Sequence, residues 1–259
     1  RFNKNFKAWS NVDFPRPIFP LVSTDVLVES FEEGCLISRY VRQQHPYNRV
    51  LAKTGVGLFL KMMLHDNFIH ADLHPGNIIV RRMNNTGLLE AAEPVLAPGV
   101  SGWLKRMGLM GSSLGQPKVV ILDTGMVVEL EKRDKESLLS FFTALTRMDG
   151  ERLAKAVLSM SEGQTCKNPS AFIQEMKDTF ANMDMEYLRL ESQTVMKDMI
   201  EAMRQHQVTL RSAVSTVVVT TLVLEGWSSK LDPEIRIINT LRDLLSPEVS
   251  EKLMRIWLN

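Results

Sequence analysis

The chain has 259 residues, 44% of them apolar, with 31 Lys and Arg against 30 Asp and Glu. That length admits one large domain or two small ones with a sizeable core, and the composition excludes a disordered chain. A charge balance this even leaves no basic footprint for nucleic acid, and two cysteines, Cys35 and Cys166, exclude a disulfide-built scaffold and suit a reducing compartment.

The first residue is Arg1, and the stretch after it has no apolar segment of the signal-peptide kind, so a processed chain or a fragment is expected. Pro15, Pro17 and Pro20 predict extended structure through the first thirty residues. Val26 to Ser30, VLVES, reads as a short buried strand. Asn48 to Asn67 carries apolar residues at helical spacing and predicts a long, mostly buried helix weakened by Gly55 and Gly57. FIHADLHPGNIIV then reads as two short apolar pieces flanking a polar loop with a Pro-Gly turn.

Residues 84–117 are rich in Gly, Pro and Ser and read as an inserted loop, with one short helix around Trp103 to Met110. Val119 to Asp123, VVILD, is a second buried strand ending in an acid. Nearly everything after Glu129 reads as helical. Two helices break near Asp149-Gly150, Pro169 opens another, and Asp232-Pro233 and Ser246-Pro247 open two more. The β-branched run at 214–223 is taken as a buried helix because its neighbours are helical, although its composition also suits a strand. Ala213 to Leu224 is the nearest approach to a membrane span and is too short, so any anchor is expected outside this sequence. Fifteen methionines, several at helical intervals, read as adaptable core packing, and Cys35 as a buried structural thiol.

The chemistry concentrates in His70-Ala71-Asp72-Leu73-His74-Pro75-Gly76-Asn77. Phosphoryl transfer needs a carboxylate to orient the attacking hydroxyl and an amide oxygen to hold a metal. The kinase catalytic loop has the form H-x-D-x-x-x-x-N, and this loop matches it. Asp123, followed by Thr124-Gly125, has the form of the second metal-holding acid: strand, acid, sharp turn. Asn77 and Asp123 lie 46 positions apart, and removing the insert leaves 12, the length of a short hairpin with its strands. Ile78–Val80 and Val119–Leu122 are therefore expected to pair, setting Asn77 beside Asp123 to share Mg²⁺. The competing reading is a zinc or iron site, with His70, Asp72 and His74 alternating along an extended loop. It leaves the Asn, the following strand and the downstream acid unexplained.

HADLHPGN followed by a strand and Asp-x-Gly resembles the aarF-domain, or UbiB, family of atypical kinase-like proteins. FPRPIFPLVSTDVLVESFEEG resembles the family segment that runs into the hinge, and LEGWSSKLDP, Leu224 to Pro233, resembles its late signature. The insert and the Asp-Thr-Gly-Met run resemble the mitochondrial aarF-domain-containing kinase 2 branch, which includes plant members. The resemblance implies a mostly helical α+β fold, the large lobe of a protein kinase, with residues 1–31 as the end of the small lobe and the hinge and 32–259 as the large lobe. It implies Asp72 as the catalytic aspartate, Asn77 and Asp123 as magnesium ligands, Glu29 and Phe31 at a hinge that meets the adenine, and His70 and His74 as loop support. It also implies ATP and Mg²⁺, a role in mitochondrial quinone or lipid metabolism, a lipid, quinone-pathway molecule or protein as partner, and a mitochondrial or, alternatively, plastid location.

Two departures stand out. Thr124 replaces the usual Phe of Asp-Phe-Gly, and no Ala-Pro-Glu follows, so a protein-substrate activation segment has no room. The small β lobe, with its phosphate-covering loop, strand Lys and helix Glu, is expected to be absent from this chain, which alone should bind Mg-ATP weakly. Competing functions are a small-molecule kinase of the aminoglycoside or choline phosphotransferase type and a catalytically weak binding module.

Overall fold

A computed structural model describes residues 1–81, 117–161, 163 and 165–245. The predicted helix at Trp103 to Met110, nearly all of the predicted insert and the helix expected at Ser246-Pro247 lie outside the described residues.

The chain opens on a short helix, α1 (Phe2–Asn5), where the sequence predicts extended structure. The prolines that forbid a helix begin only at position 15. Ahead of them Phe2 and Phe6, one turn apart, both pack on the Phe14 ring, at 5.0 and 5.3 Å between centroids. This N-terminal knot shares one hydrophobic core with the helices that follow.

Four strands form the main sheet in the order β1 (Val12–Asp13), β7 (Lys118–Ile121), β6 (Ile78–Arg81), β4 (Cys35–Leu36). β1 runs parallel to β7, and the other pairs are antiparallel. Two further strands, β2 (Pro17–Val22) and β3 (Leu27–Glu29), make a separate ribbon. The strand read at Val26 to Ser30 is present, but it is not buried: Val26 is 56% and Leu27 63% exposed, because the ribbon has only two strands. A third pair, β5 (Ile69–His70) with β8 (Val127–Val128), brackets the polar loop.

After a turn of helix, α2 (Ser38–Val41), comes α3 (Asn48–Lys61), which passes into a π turn over Met62–Asp66 and closes at left-handed Asn67. Gly55, which costs α3 intrinsic propensity, has a packing reason. A Cβ there would lie 2.4 Å from the Trp227 ring, so the glycine makes room for that ring. The remaining helices are α4 (Lys132–Thr146), α5 (Gly150–Ser159), α6 (Pro169–Ala181), α7 (Met185–Leu190), α8 (Ser192–Gln205), α9 (Ser212–Leu231) and α10 (Ile237–Leu244). Asp149 and Asn168 cap α5 and α6 by accepting from the backbone N–H groups of Arg152 and Ala171. The β-branched run is helical, within α9, which packs its Val214, Val217 and Leu224 into the core.

Asp232-Pro233 does not open a helix. The Asp232 carboxylate accepts from the Glu234 N–H and closes a turn, and α10 starts only at Ile237. Met62, Met63, Met196, Met199 and Met203 are all core residues. Cys35 is half-buried rather than buried, because β4 is an edge strand; Cys166 is buried. Among the described residues no helix is long and apolar enough to cross a membrane.

Candidate active site

The expected hairpin forms. Ile78 faces Ile121, Ile79 faces Val120, Val80 faces Val119 and Arg81 faces Lys118. Beyond the last pair, the Leu122 N–H donates to the Asn77 carbonyl at 2.8 Å, so Asn77 and Asp123 sit together at one end of the hairpin.

His70 ties the polar loop to this end. Its ring is fully buried, Nδ1 accepts from the Asp72 N–H at 3.1 Å, and Nε2 donates to the Leu122 carbonyl at 3.1 Å. These partners fix the neutral, Nε2-protonated tautomer. Burial holds the ring pKa below its usual value of 6.5, against the opposing pull of the Leu122 carbonyl and the Asp72 and Asp123 charges. With both nitrogens committed, His70 cannot ligate a metal, which removes the zinc or iron reading of His70, Asp72 and His74. Among the described residues no group of three or more His, Cys, Asp or Glu is placed to hold a metal ion.

Asp72 is half-exposed at the loop apex. Asn77 Nδ2 donates to its carbonyl at 3.1 Å and to its carboxylate at 3.3 Å. That commitment of the amide nitrogen leaves Asn77 Oδ1 without a partner among the described residues. His74 Nδ1 accepts from the Gly76 N–H at 3.0 Å, and its Nε2 lies 3.5 Å from Asp72. A Cβ on Gly76 would lie 2.6 Å from the His74 ring, so a side chain there would move that ring. From below, the Thr220 hydroxyl on α9 donates to the Ala71 carbonyl at 3.1 Å, and the Ala71 N–H donates to the Met126 carbonyl.

Asp123 is exposed and makes no ion pair or hydrogen bond among the described residues. Its φ is +49°, in the left-handed region that non-glycine residues rarely occupy. Three other described residues share that sign, Asn67, Met148 and Gln207, and each closes a helix. Asp123 instead follows a strand, and its backbone turns the carboxylate out at the hairpin end. A divalent hard cation keeps several waters and needs few protein oxygens. The unpartnered Asn77 Oδ1 and Asp123 carboxylate fit that requirement.

Glu29 and Phe31 are not drawn into this cluster. Glu29 ends the exposed ribbon, and the Phe31 side chain is 88% exposed. The segment around them is anchored nonetheless. The Ser30 hydroxyl donates to Glu32 at 2.6 Å, Glu32 pairs with Arg81 Nη2, and Arg81 Nε donates to the Glu33 carbonyl at 3.3 Å. Arg81 is at the far end of β6 from Asn77, about 13 Å away along an extended chain. Gly34 follows at φ +152°, where a Cβ would lie 2.3 Å from Ile79 and 2.7 Å from the Val80 carbonyl.

Several contributors carry no motif. Thr220 is one of several Thr and Ser in an apolar helix. Asn67 pairs both ways with the Leu130 backbone at 3.0 Å, fixing the chain that leaves the site. Asp13 pairs with Lys118 at 2.9 Å and locks β1 to β7. Glu225, within the late signature, is buried and accepts from Ser192 at 2.7 Å and from the Ile237 N–H at 2.9 Å.

Residues 1–157 match the ABC1 atypical kinase-like domain. Across 92% of its length the chain is 30% identical to the probable serine/threonine-protein kinase abkC of Dictyostelium discoideum. It is 28% identical over 95% of its length to a mitochondrial ABC1 family protein of Saccharomyces cerevisiae, and 25% identical over 98% to the probable protein kinase UbiB of Shewanella woodyi. The aligned segments cover 40%, 41% and 41% of these relatives, so the chain spans about two fifths of their length. A family match over more than half of the chain, on a mostly helical α+β fold, shows that this chain belongs to the ABC1/UbiB atypical kinase-like family.

Proposed function

We propose that this chain supplies the catalytic loop and metal-binding half of an ATP-dependent phosphotransferase or ATPase acting in mitochondria, in quinone or lipid metabolism. The observation that carries the reading is the loop apex. Asn77 turns its nitrogen to Asp72, which leaves its oxygen unpartnered among the described residues, and the Asp123 carboxylate, also without a partner there, stands at the same end of the hairpin. The name of the yeast relative supports the location, and family likeness supports the pathway.

In this reading Asp123 and Asn77 hold Mg²⁺, which when bound neutralises charge on the nucleotide phosphates. Asp72 accepts a hydrogen bond from the attacking hydroxyl or water and orients it. The attacking oxygen bonds the γ-phosphorus as the bond to the β-phosphate oxygen breaks. ADP leaves, and the proton passes to Asp72. His70 holds the Asp72 backbone against Leu122, so acid and metal ligands keep one geometry. The hinge backbone around Glu29 and Phe31 meets the adenine edge, and a separate small lobe of the whole protein covers the phosphates. The acceptor is water or a small molecule rather than a protein. After Asp123 the chain returns at once through β8 and enters α4 at Lys132, leaving no span for a peptide-binding segment.

The test is nucleotide affinity and ATP turnover of three single variants of the full-length protein. Asp123→Asn loses both, Asn77→Ala loses both more mildly, and Asp72→Asn keeps Mg-ATP binding while turnover falls about 10²–10⁴-fold. Wild-type hydrolysis by all three would remove the assignment of this site, and no hydrolysis by the parent itself would leave a binding module.

A further inference from the structure

Two adjoining clefts open beside the loop. One, of about 310 Å³, lies between Pro75 of the loop, Ser38 and Arg42 at α2, and Trp227 and Lys230 of α9. The other, of about 430 Å³, shares Ser38 and Arg42 and continues past Arg39. Together they form a groove that starts at the loop and runs along α2.

The charge in this groove is one-sided. Arg39, Arg42 and Lys230 line it, and no Asp or Glu among the described residues does. Among the described residues Arg39 has only the Cys35 sulfur as a partner, at 3.8 Å, and neither Arg42 nor Lys230 has a carboxylate partner. Several arginines elsewhere are neutralised: Arg49 by Glu234 at 2.9 Å, Arg236 by Glu225 at 3.5 Å, Arg81 by Glu32, Arg211 by Asp134. Three unneutralised cations converging on a concave surface concentrate positive potential there. Two guanidinium forks and the Ser38 hydroxyl suit an oxyanion, and the Val41, Val223 and Trp227 wall suits an apolar body.

We propose that this groove binds the phosphoryl acceptor, and that the acceptor is a small molecule with an apolar body and an anionic group, phosphate or carboxylate. The anion lies on Arg39, Arg42 and Lys230, and the reacting hydroxyl faces the loop past Pro75. The inference rests on the phosphotransfer reading for the word acceptor; the groove's preference for anions does not.

The experiment uses the full-length protein with Mg-ADP present to fill the nucleotide site. Calorimetric titration compares 1-naphthyl phosphate with neutral 1-naphthol, for the parent and for R42Q/K230Q. Both replaced side chains are exposed, so the fold tolerates the change. Naphthyl phosphate binds at least about tenfold more tightly than naphthol, and the double variant loses about tenfold or more of that affinity with Mg-ATP affinity unchanged. Equal affinity for the two probes, or an unaffected double variant, overturns the proposal. So does a double variant that loses only retention on phosphatidic acid vesicles, which would make the cations a membrane surface. If Asp72→Asn leaves turnover intact while R42Q/K230Q still loses naphthyl phosphate, the phosphotransfer reading falls and the anion groove stands.

Discussion

Two hairpins of similar composition have opposite fates in this chain. In β6–β7, four consecutive residue pairs are in register, and Ile78, Val80, Val119, Val120 and Ile121 are each at most 1% exposed. In β2–β3 the register shifts between Pro17 and Val22, and Phe19, Leu21 and Leu27 are 74%, 57% and 63% exposed. Both are built from apolar and β-branched residues, so composition specifies the strands and neighbours specify burial. β6–β7 gains β1 on one edge, β4 on the other and the helical core on a face. The ribbon has only itself. Expected catalysis sits at the end of the first hairpin, whose backbone is fixed by its neighbours, and the expected adenine contact sits on the second.

Four measurements would break or sharpen that contrast. His70→Ala should have the largest effect, about 3 kcal/mol in urea unfolding. It opens a cavity and orphans the Asp72 N–H and the Leu122 carbonyl. A loss below about 1 kcal/mol would mean that the loop end of the buried hairpin is held by other contacts. Gly34→Ala comes next, at about 2 kcal/mol, because the new methyl must displace Ile79 or the Val80 backbone where the second hairpin joins the first. An unchanged midpoint would show that this junction yields.

Asp13→Asn should cost at most about 1 kcal/mol and should do so in a pH-dependent way. Burial raises the Asp13 carboxyl pKa, but the Lys118 ammonium outweighs it and brings the pKa below the ordinary 3.8. The unfolded carboxyl therefore takes its proton first on acidification. The stabilisation is complete above about pH 4 and is lost as pH falls through the lowered folded value. A wild-type-minus-variant difference that persists well below that window would contradict the ion pair. Phe19→Ser should be smallest, within about 0.5 kcal/mol of neutral, because the ring is already in water. A penalty above about 1 kcal/mol would show that another part of the protein covers the ribbon.

The site is legible in the sequence where the chemistry is local. Asp72 and Asn77 share one loop, and the acid that ends VVILD is paired with Asn77 by arithmetic on hairpin length. Burial at β3 is not legible, because VLVES reads the same with or without a covering layer. Thr220 and Glu225 act on residues 149 and 12 positions away, and nothing in an apolar helix marks which hydroxyl meets a loop carbonyl. The start of α10 is misplaced by sequence because an Asp-Pro pair signals either a helix cap or a turn, and Asp232 makes the turn. The N-terminal helix is hidden because it rests on ring packing with Phe14, a tertiary contact.

The left-handed backbone of Asp123 limits which amino acids this position can hold. Geometry alone favours Gly, Asn and Asp. An oxygen for a cation removes Gly, and a negative charge removes Asn. Under the proposed reading one letter of the amino-acid alphabet satisfies all three requirements, while a second satisfies every requirement except charge. A chain carrying Asn at 123 would therefore fold, pair its hairpin and pass every structural inspection while lacking the charge that draws magnesium. In this architecture an inert member can differ from an active one by a single atom exchange, oxygen for nitrogen, with no trace in the fold.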